Sequence, residues 1–99
     1  MEIKKTINGN AMTLDVSGRL ETLTAASLDA EVHAIPPAVI DLTLGFGALE
    51  YISSAGLRVV LLAHKALASR GGTMKVAGAN ETVKRVFDIT GFSSILNFA

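Results

Sequence analysis

The chain opens on alternation. Glu2 to Ile7 alternates loosely, Asn8-Gly9-Asn10 is a turn signal, and Met12, Leu14 and Val16 are apolar between Thr13, Asp15 and Ser17. A period of two on either side of such a turn predicts a β-hairpin with one buried face. Gly18 is expected to break the second strand. Thr22 or Thr24 is expected to accept from free backbone N–H groups at the start of a helix with Leu28, Val32 and Ile35 on one face. Pro36-Pro37 ends that helix. "AVIDL", Ala38 to Leu42, is apolar in nearly every position, the pattern of a central strand covered on both faces, with Asp41 its one charge. The following "TLGFGAL" reads as a glycine-broken loop, whose Phe46 either packs inward or forms an exposed anchor.

Ser54 to Arg70 has helical length, with Leu57, Val60, Leu61, His64 and Ala68 on one face and Arg58, Lys65 and Ser69 on another. Gly71-Gly72 stops it, and "TMKVAG" reads as a short strand. Asn80 can cap a further helix that carries Val83, Val86 and Phe87 inward, with Glu81 and Arg85, and Lys84 and Asp88, at i,i+4 spacing outside. Gly91 closes this helix, and "FSSILNF" is a short element that fits either a strand or a helix. The order is β-β-α-β-α-β-α plus a tail. Strands that alternate with helices in this way should run parallel through right-handed crossovers. The class is α/β, read as one domain over residues 1–99, with no internal repeat and no linker.

Composition narrows the function. A chain of 99 residues that is 49% hydrophobic can fill a core without disulfides or metal. It has no cysteine, which removes disulfide frameworks, thiolate catalysis and cysteine zinc sites, and leaves a reducing compartment as the expectation. Nine basic and nine acidic residues cancel without forming blocks, so the electrostatic footprint of a nucleic-acid binder is missing. A protein or small-molecule partner is favoured. The apolar stretch Leu57 to Ala68 carries Arg58, His64 and Lys65 and is too short to span a bilayer, and Met1-Glu2 does not open a signal peptide. The expectation is a soluble, unprocessed, cytoplasmic protein with neither membrane nor nucleic acid as partner.

The segment of interest is "LEYISSAGLRVVLLAHK", Leu49 to Lys65. Ser53 and Ser54 precede a long helix, so one of them should be its N-cap. Gly56 weakens the first turn by about 1 kcal/mol relative to alanine, and is easier to explain if another backbone, such as a docking partner's, approaches there. An anion at this helix end, a phosphoserine included, meets free amides and the positive end of the helix dipole. Serine catalysis fails on reach. His64 lies ten residues along the same helix from Ser54, about 15 Å along its axis, and the G-x-S-x-G pattern of a nucleophile elbow is missing. The two histidines, with no carboxylate at ligand spacing, read as packing or surface residues, and "GFG" lacks the lysine of a phosphate-binding loop. No catalytic residue, metal or cofactor is assigned.

"SGRLETLTA", "VIDLT", "LEYISSAGLRVVLLAHKAL" and "GGTMKVAGANETVKRVFDITGF" together resemble the STAS domain of bacterial anti-sigma factor antagonists over nearly the whole chain. The resemblance implies the STAS-type β/α superhelical layer, a mixed sheet with an N-terminal β-hairpin and helices packed on one face. The family motif commonly reads Asp-Ser-Ser-Gly-Leu, with its first serine phosphorylated. Aligned on Gly56-Leu57, that motif puts Ser53 at the aspartate, Ser54 at the phosphoacceptor and Ala55 at the second serine, so Ser53, Ala55 and Gly56 form the supporting loop.

The resemblance also implies partner switching. The unmodified protein would bind an anti-sigma factor that is also a serine kinase, freeing a sigma factor. Phosphorylation would break that complex, and a serine phosphatase would restore it. Glu21, Thr22 and Thr24 are expected to join Arg58 in the docking surface, while from the residues alone Thr24 is equally a cap, and Glu21 and Arg58 equally solvated charges. The alternative is an unswitched STAS docking module of another assembly, a lipid-transport complex or a stress-signalling scaffold. Between "DL" and "LEYIS" the chain runs about four residues longer than the family pattern, so "LGFG" is expected as a loop insertion, either neutral or an apolar tip that affects partner choice or self-association.

Overall fold

The computed structural model describes residues 1–99. Strands β1 (Glu2–Asn8) and β2 (Ala11–Leu20) form an antiparallel hairpin with Asn8 opposite Ala11. Of the two linking residues only Gly9 has positive φ, 62°, which fits the primed turns that match strand twist. Then follow α1 (Thr22–His33), β3 (Asp41–Ile52), α2 (Ser54–Ser69), β4 (Thr73–Ala77) and α3 (Glu81–Thr90). The tail is both helix and strand, a 3₁₀ turn at Phe92–Ser94 and then β5 (Asn97–Phe98).

The sheet order is β1-β2-β3-β4-β5, with every pair after the hairpin parallel. Right-handed crossovers that always advance in the same direction lay every helix on the same face. This is the mixed α/β layer expected from the sequence, and it corrects the reading of "AVIDL" as a strand covered on both faces. Leu42, Leu44 and Phe46 enter the core, whereas Thr43 points to the open face between Thr13 and Lys75. Val39 is buried but precedes the strand, so the apolar run joined an approach segment to a strand with one buried face. A single cluster of 25 apolar residues forms the core, and no polar or charged residue is buried.

"TLGFGAL" is not a loop. β3 runs unbroken to Ile52, and Phe46 is fully buried, so neither an inserted loop nor an apolar tip exists there. The strand is instead irregular, with two bulges against β2. Asp15 and Ser17 pair with Gly45 and Ala48, and Gly18 and Arg19 pair with Leu49 and Tyr51, so β3 carries one extra residue at each place. Gly18, at φ +87°, adopts the conformation such a bulge favours, and β2 continues through it to Leu20 instead of breaking.

In α2 the buried residues are Gly56, Leu57, Val59, Val60, Ala63 and Leu67, while Leu61 and His64 are half-buried and Ala68 is exposed. The stripe is turned from the expected one because α1 packs beside α2 as well as the sheet beneath it. At its end Gly72 N–H donates to Leu67 O at 2.8 Å and Gly71 N–H to Ala68 O at 3.1 Å, the paired bonds of a Schellman motif. On α3 the i,i+4 charges face solvent without pairing; the ion pairs are Lys5–Glu31 and Arg19–Glu21, and His33 Nδ1 lies 3.4 Å from Asp29 Oδ1. Asp88 instead accepts the Ser93 hydroxyl.

If Phe46 is core, Phe46→Ala should lower unfolding stability by about 3–5 kcal/mol in a urea titration. A change within about 0.5 kcal/mol would be the behaviour of a surface loop residue.

Candidate functional site

β2 and β3 run parallel side by side and end together, with Leu20 opposite Ile52. Ser53 N–H donates to Leu20 O at 2.8 Å, continuing the ladder past the strands. Both strands therefore turn into helices at the same edge of the sheet. Glu21 is the N-cap of α1, and Ser53 is the N-cap of α2.

The two adjacent serines divide the work. Ser53 is extended, at φ −97° and ψ 176°, and its Oγ accepts from Gly56 N–H at a long 3.4 Å. Ser54 is the first helical residue, is exposed, and has no hydrogen bond from its hydroxyl to the protein. Ala55 is half-buried against the core. Gly56 is buried, and a Cβ built on it would lie 2.8 Å from Leu20 Cγ and 2.9 Å from Ile52 Cγ1. The glycine is thus explained from inside, by the first turn of α2 pressing on the strand ends, and not by an approaching partner's backbone.

Thr24 Oγ1 accepts from Glu21 N–H at 2.9 Å and donates to Arg19 O at 2.7 Å. Thr24 therefore secures the start of α1 from its third helical position, but the N-cap is Glu21 and neither Thr24 nor the exposed Thr22, which corrects the cap reading. The Glu21 carboxylate meets Arg19 Nε at 3.4 Å, and the Arg19 guanidinium lies over the Tyr51 ring at 4.5 Å. Sequence reasoning missed Arg19 and Tyr51, which face one another only because of the second bulge. It also missed Leu23, 85% exposed in the first turn of α1.

A groove of about 470 Å³ runs between α1 and α2, lined in part by Thr22, Ala25, Ala55, Arg58, Val59 and Leu62. It brings Thr22, Ala55 and Arg58 together. α1 has the Glu21 carboxylate at its N-cap, whereas neither the cap nor the first turn of α2 carries an acidic residue to offset its positive end. Arg58 is exposed and belongs to none of the ion pairs. No group of three His, Cys, Asp or Glu side chains is placed to hold a metal, and no helix is long and apolar enough to cross a membrane.

A mixed sheet with helices on one face and a serine-bearing helix start at its edge defines a class that the comparisons identify. The family model described as "Mlab, STAS domain" matches residues 3–97. BtrV of Bordetella bronchiseptica, named as an anti-sigma factor antagonist, is 39% identical over 85 residues, covering 85% of this chain and 73% of BtrV. The anti-sigma-B factor antagonist of Bacillus subtilis is 26% identical over 92 residues, covering 93% of this chain and 84% of that protein. The unphosphorylated anti-sigma factor antagonist SpoIIAA has the same fold, with a TM-score of 0.85 at 21% identity, over 99% of this chain and 88% of that one. The chain belongs to the STAS domain family of anti-sigma factor antagonists.

Substitution separates the cap from the free hydroxyl. Ser53→Ala is expected to cost about 0.5–1 kcal/mol of stability, and Ser53→Asp to retain most of it. Ser54→Ala should stay within about 0.5 kcal/mol of the parent. Urea unfolding of the three variants checks this, and an equal loss for both alanine variants would contradict the division.

Proposed function

We propose that this chain is an anti-sigma factor antagonist that docks an anti-sigma factor at the edge where β2 and β3 end, and that phosphorylation of Ser54 switches it off. The observation that carries this proposal is the free, exposed hydroxyl of Ser54 beside a neighbour that does the capping. Ser53 stands where the family motif has aspartate, and it keeps the cap. Glu21, Thr22, Leu23 and Arg58 offer the contacts: two charges, a hydroxyl and one apolar side chain in water. Thr24 contributes indirectly, by holding the first turn of α1.

The partner is an anti-sigma factor with serine kinase activity. Its kinase site transfers the γ-phosphoryl group of ATP to Ser54 Oγ, the hydroxyl proton leaves, and ADP departs. The product carries about −1.5 to −2 charges at neutral pH. Helix amides tolerate that charge within the domain, but a closed interface would have to desolvate it. A loss of about 3 kcal/mol weakens binding more than a hundredfold. No refolding is required. A serine phosphatase then hydrolyses the phosphoserine and restores the docking form.

In this reading the chain acts by binding, and Ser54 is the acceptor of a phosphoryl group delivered by the partner. A second reading is an unswitched STAS docking module of another assembly. The description of the matching family model, which names Mlab and not a sigma-factor regulator, favours it.

Incubation of the protein with its candidate anti-sigma kinase and ATP, followed by mass spectrometry, decides between the two. The switch is expected to give phosphate on Ser54, retained binding for Ser54→Ala, and a loss of at least a hundredfold for Ser54→Glu. Binding of the partner with no serine modified would leave only the unswitched module.

A further inference from the structure

Arg58 stands one helical turn beyond Ser54. Residues at i,i+4 have Cβ atoms about 5–6 Å apart, and an acid placed N-terminal to its base is the favourable orientation. Helical side chains lean toward the helix N-terminus, so the reach of Arg58 covers the turn that bears Ser54.

The guanidinium is unclaimed. Arg58 is exposed, lines the α1–α2 groove beside Thr22 and Ala55, and belongs to none of the ion pairs. Arg19, at the same edge of the sheet, is already held by Glu21 and stacked on Tyr51. Lys65 lies eleven residues beyond Ser54, about 16 Å along the helix, too far to compete. No acidic side chain in the first turn of α2 draws Arg58 away.

We propose that Arg58 is the internal clasp of the phosphate on Ser54. Its planar fork can hold two phosphate oxygens at once, which a point-charge ammonium does less well. The proposal rests on Ser54 being the phosphoacceptor, as proposed above. With Ser54 unmodified, Arg58 projects from the groove and is free to meet an acidic group of the partner. With Ser54 phosphorylated, Arg58 folds back along its own helix. One modification then does two things: it adds an anion and withdraws the groove's free arginine. Both groups sit on α2, so the backbone need not move.

The test installs phosphoserine at position 54 during translation, so that no kinase is needed, in the parent chain and in Arg58→Lys and Arg58→Ala. The second ionisation of the phosphate, ordinarily near 6, is followed by ³¹P NMR as the pH is varied. The expected value in the parent lies about 0.3 unit below that in Arg58→Ala, with Arg58→Lys between them. About 1 M salt should remove most of the difference. Phosphorylation should also raise the melting temperature more in the parent than in Arg58→Ala. Equal phosphate ionisation in the parent and Arg58→Ala would overturn the clasp. Failure of the candidate kinase to modify Ser54 would remove the switch but would leave the ionisation result standing, so the two failures are distinct.

Discussion

The parallel ladder between β2 and β3 is the constraint from which the site follows. It runs from the Ala11–Asp41 pair to Leu20 and Ile52, and the Ser53 N–H to Leu20 O bond carries it one residue further. Two neighbouring strands that point the same way and stop at the same level must start their helices side by side. The cap of α1 and the cap of α2 are therefore neighbours by topology. The same geometry explains Gly56, because a helix starting directly after a strand must press its first turn onto the strand ends, here Leu20 and Ile52. With every helix on one face, the other keeps Thr13, Asp15, Thr43 and Lys75 in water, and the candidate chemistry is confined to one edge.

The three helix starts are secured unequally. α1 has the Thr24 hydroxyl bridging Glu21 N–H and Arg19 O at 2.9 and 2.7 Å. α3 has Asn80, whose Oδ1 accepts from Val83 N–H at 2.8 Å and whose amide donates to Leu49 O at 3.0 Å, tying the cap to β3. α2 relies on one hydroxyl at 3.4 Å, near the limit of useful length. A serine in the aspartate position of the family motif also gives up the stronger bond that an ionised acceptor makes. The turn that carries Ser54 is thus the least firmly anchored by side chains of the three. Segments with few such anchors open at lower free energy than the core, which would suit a hydroxyl proposed to accept a phosphoryl group in another protein's active site.

Much of this was legible in the sequence because the signals are local. Asn8-Gly9-Asn10, Gly71-Gly72, Asn80 and Gly91 mark boundaries within a few residues of themselves, and the element order follows from them. What failed depended on distant neighbours. Glycines at 45 and 47 argue locally for a loop, yet Gly45 lies under the Asp15 carboxylate, where a side chain would collide. Two bulges keep β3 in register with β2, and period counting cannot see a bulge whose partner strand is unknown. The Arg19–Tyr51 stack depends on the second bulge and was hidden for that reason. The sequence marked Gly56 as unusual, but the neighbours that require it, Leu20 and Ile52, only fold brings there.

A switch on Ser54 also makes sense of two hydroxyls where one cap would suffice. Modification of Ser53 would act on a half-buried residue whose oxygen is already accepting a backbone bond, and would disturb the junction of β3 with α2. Modification of Ser54 leaves the Ser53–Gly56 bond and the Ser53–Leu20 ladder bond untouched, because neither uses its side chain. The domain would keep the same core, caps and sheet in either state. A signal that does not change the fold can be read only by what touches the surface. Its effect then depends on the partner losing more from the phosphate, and from the arginine it claims, than the domain gains by holding them together.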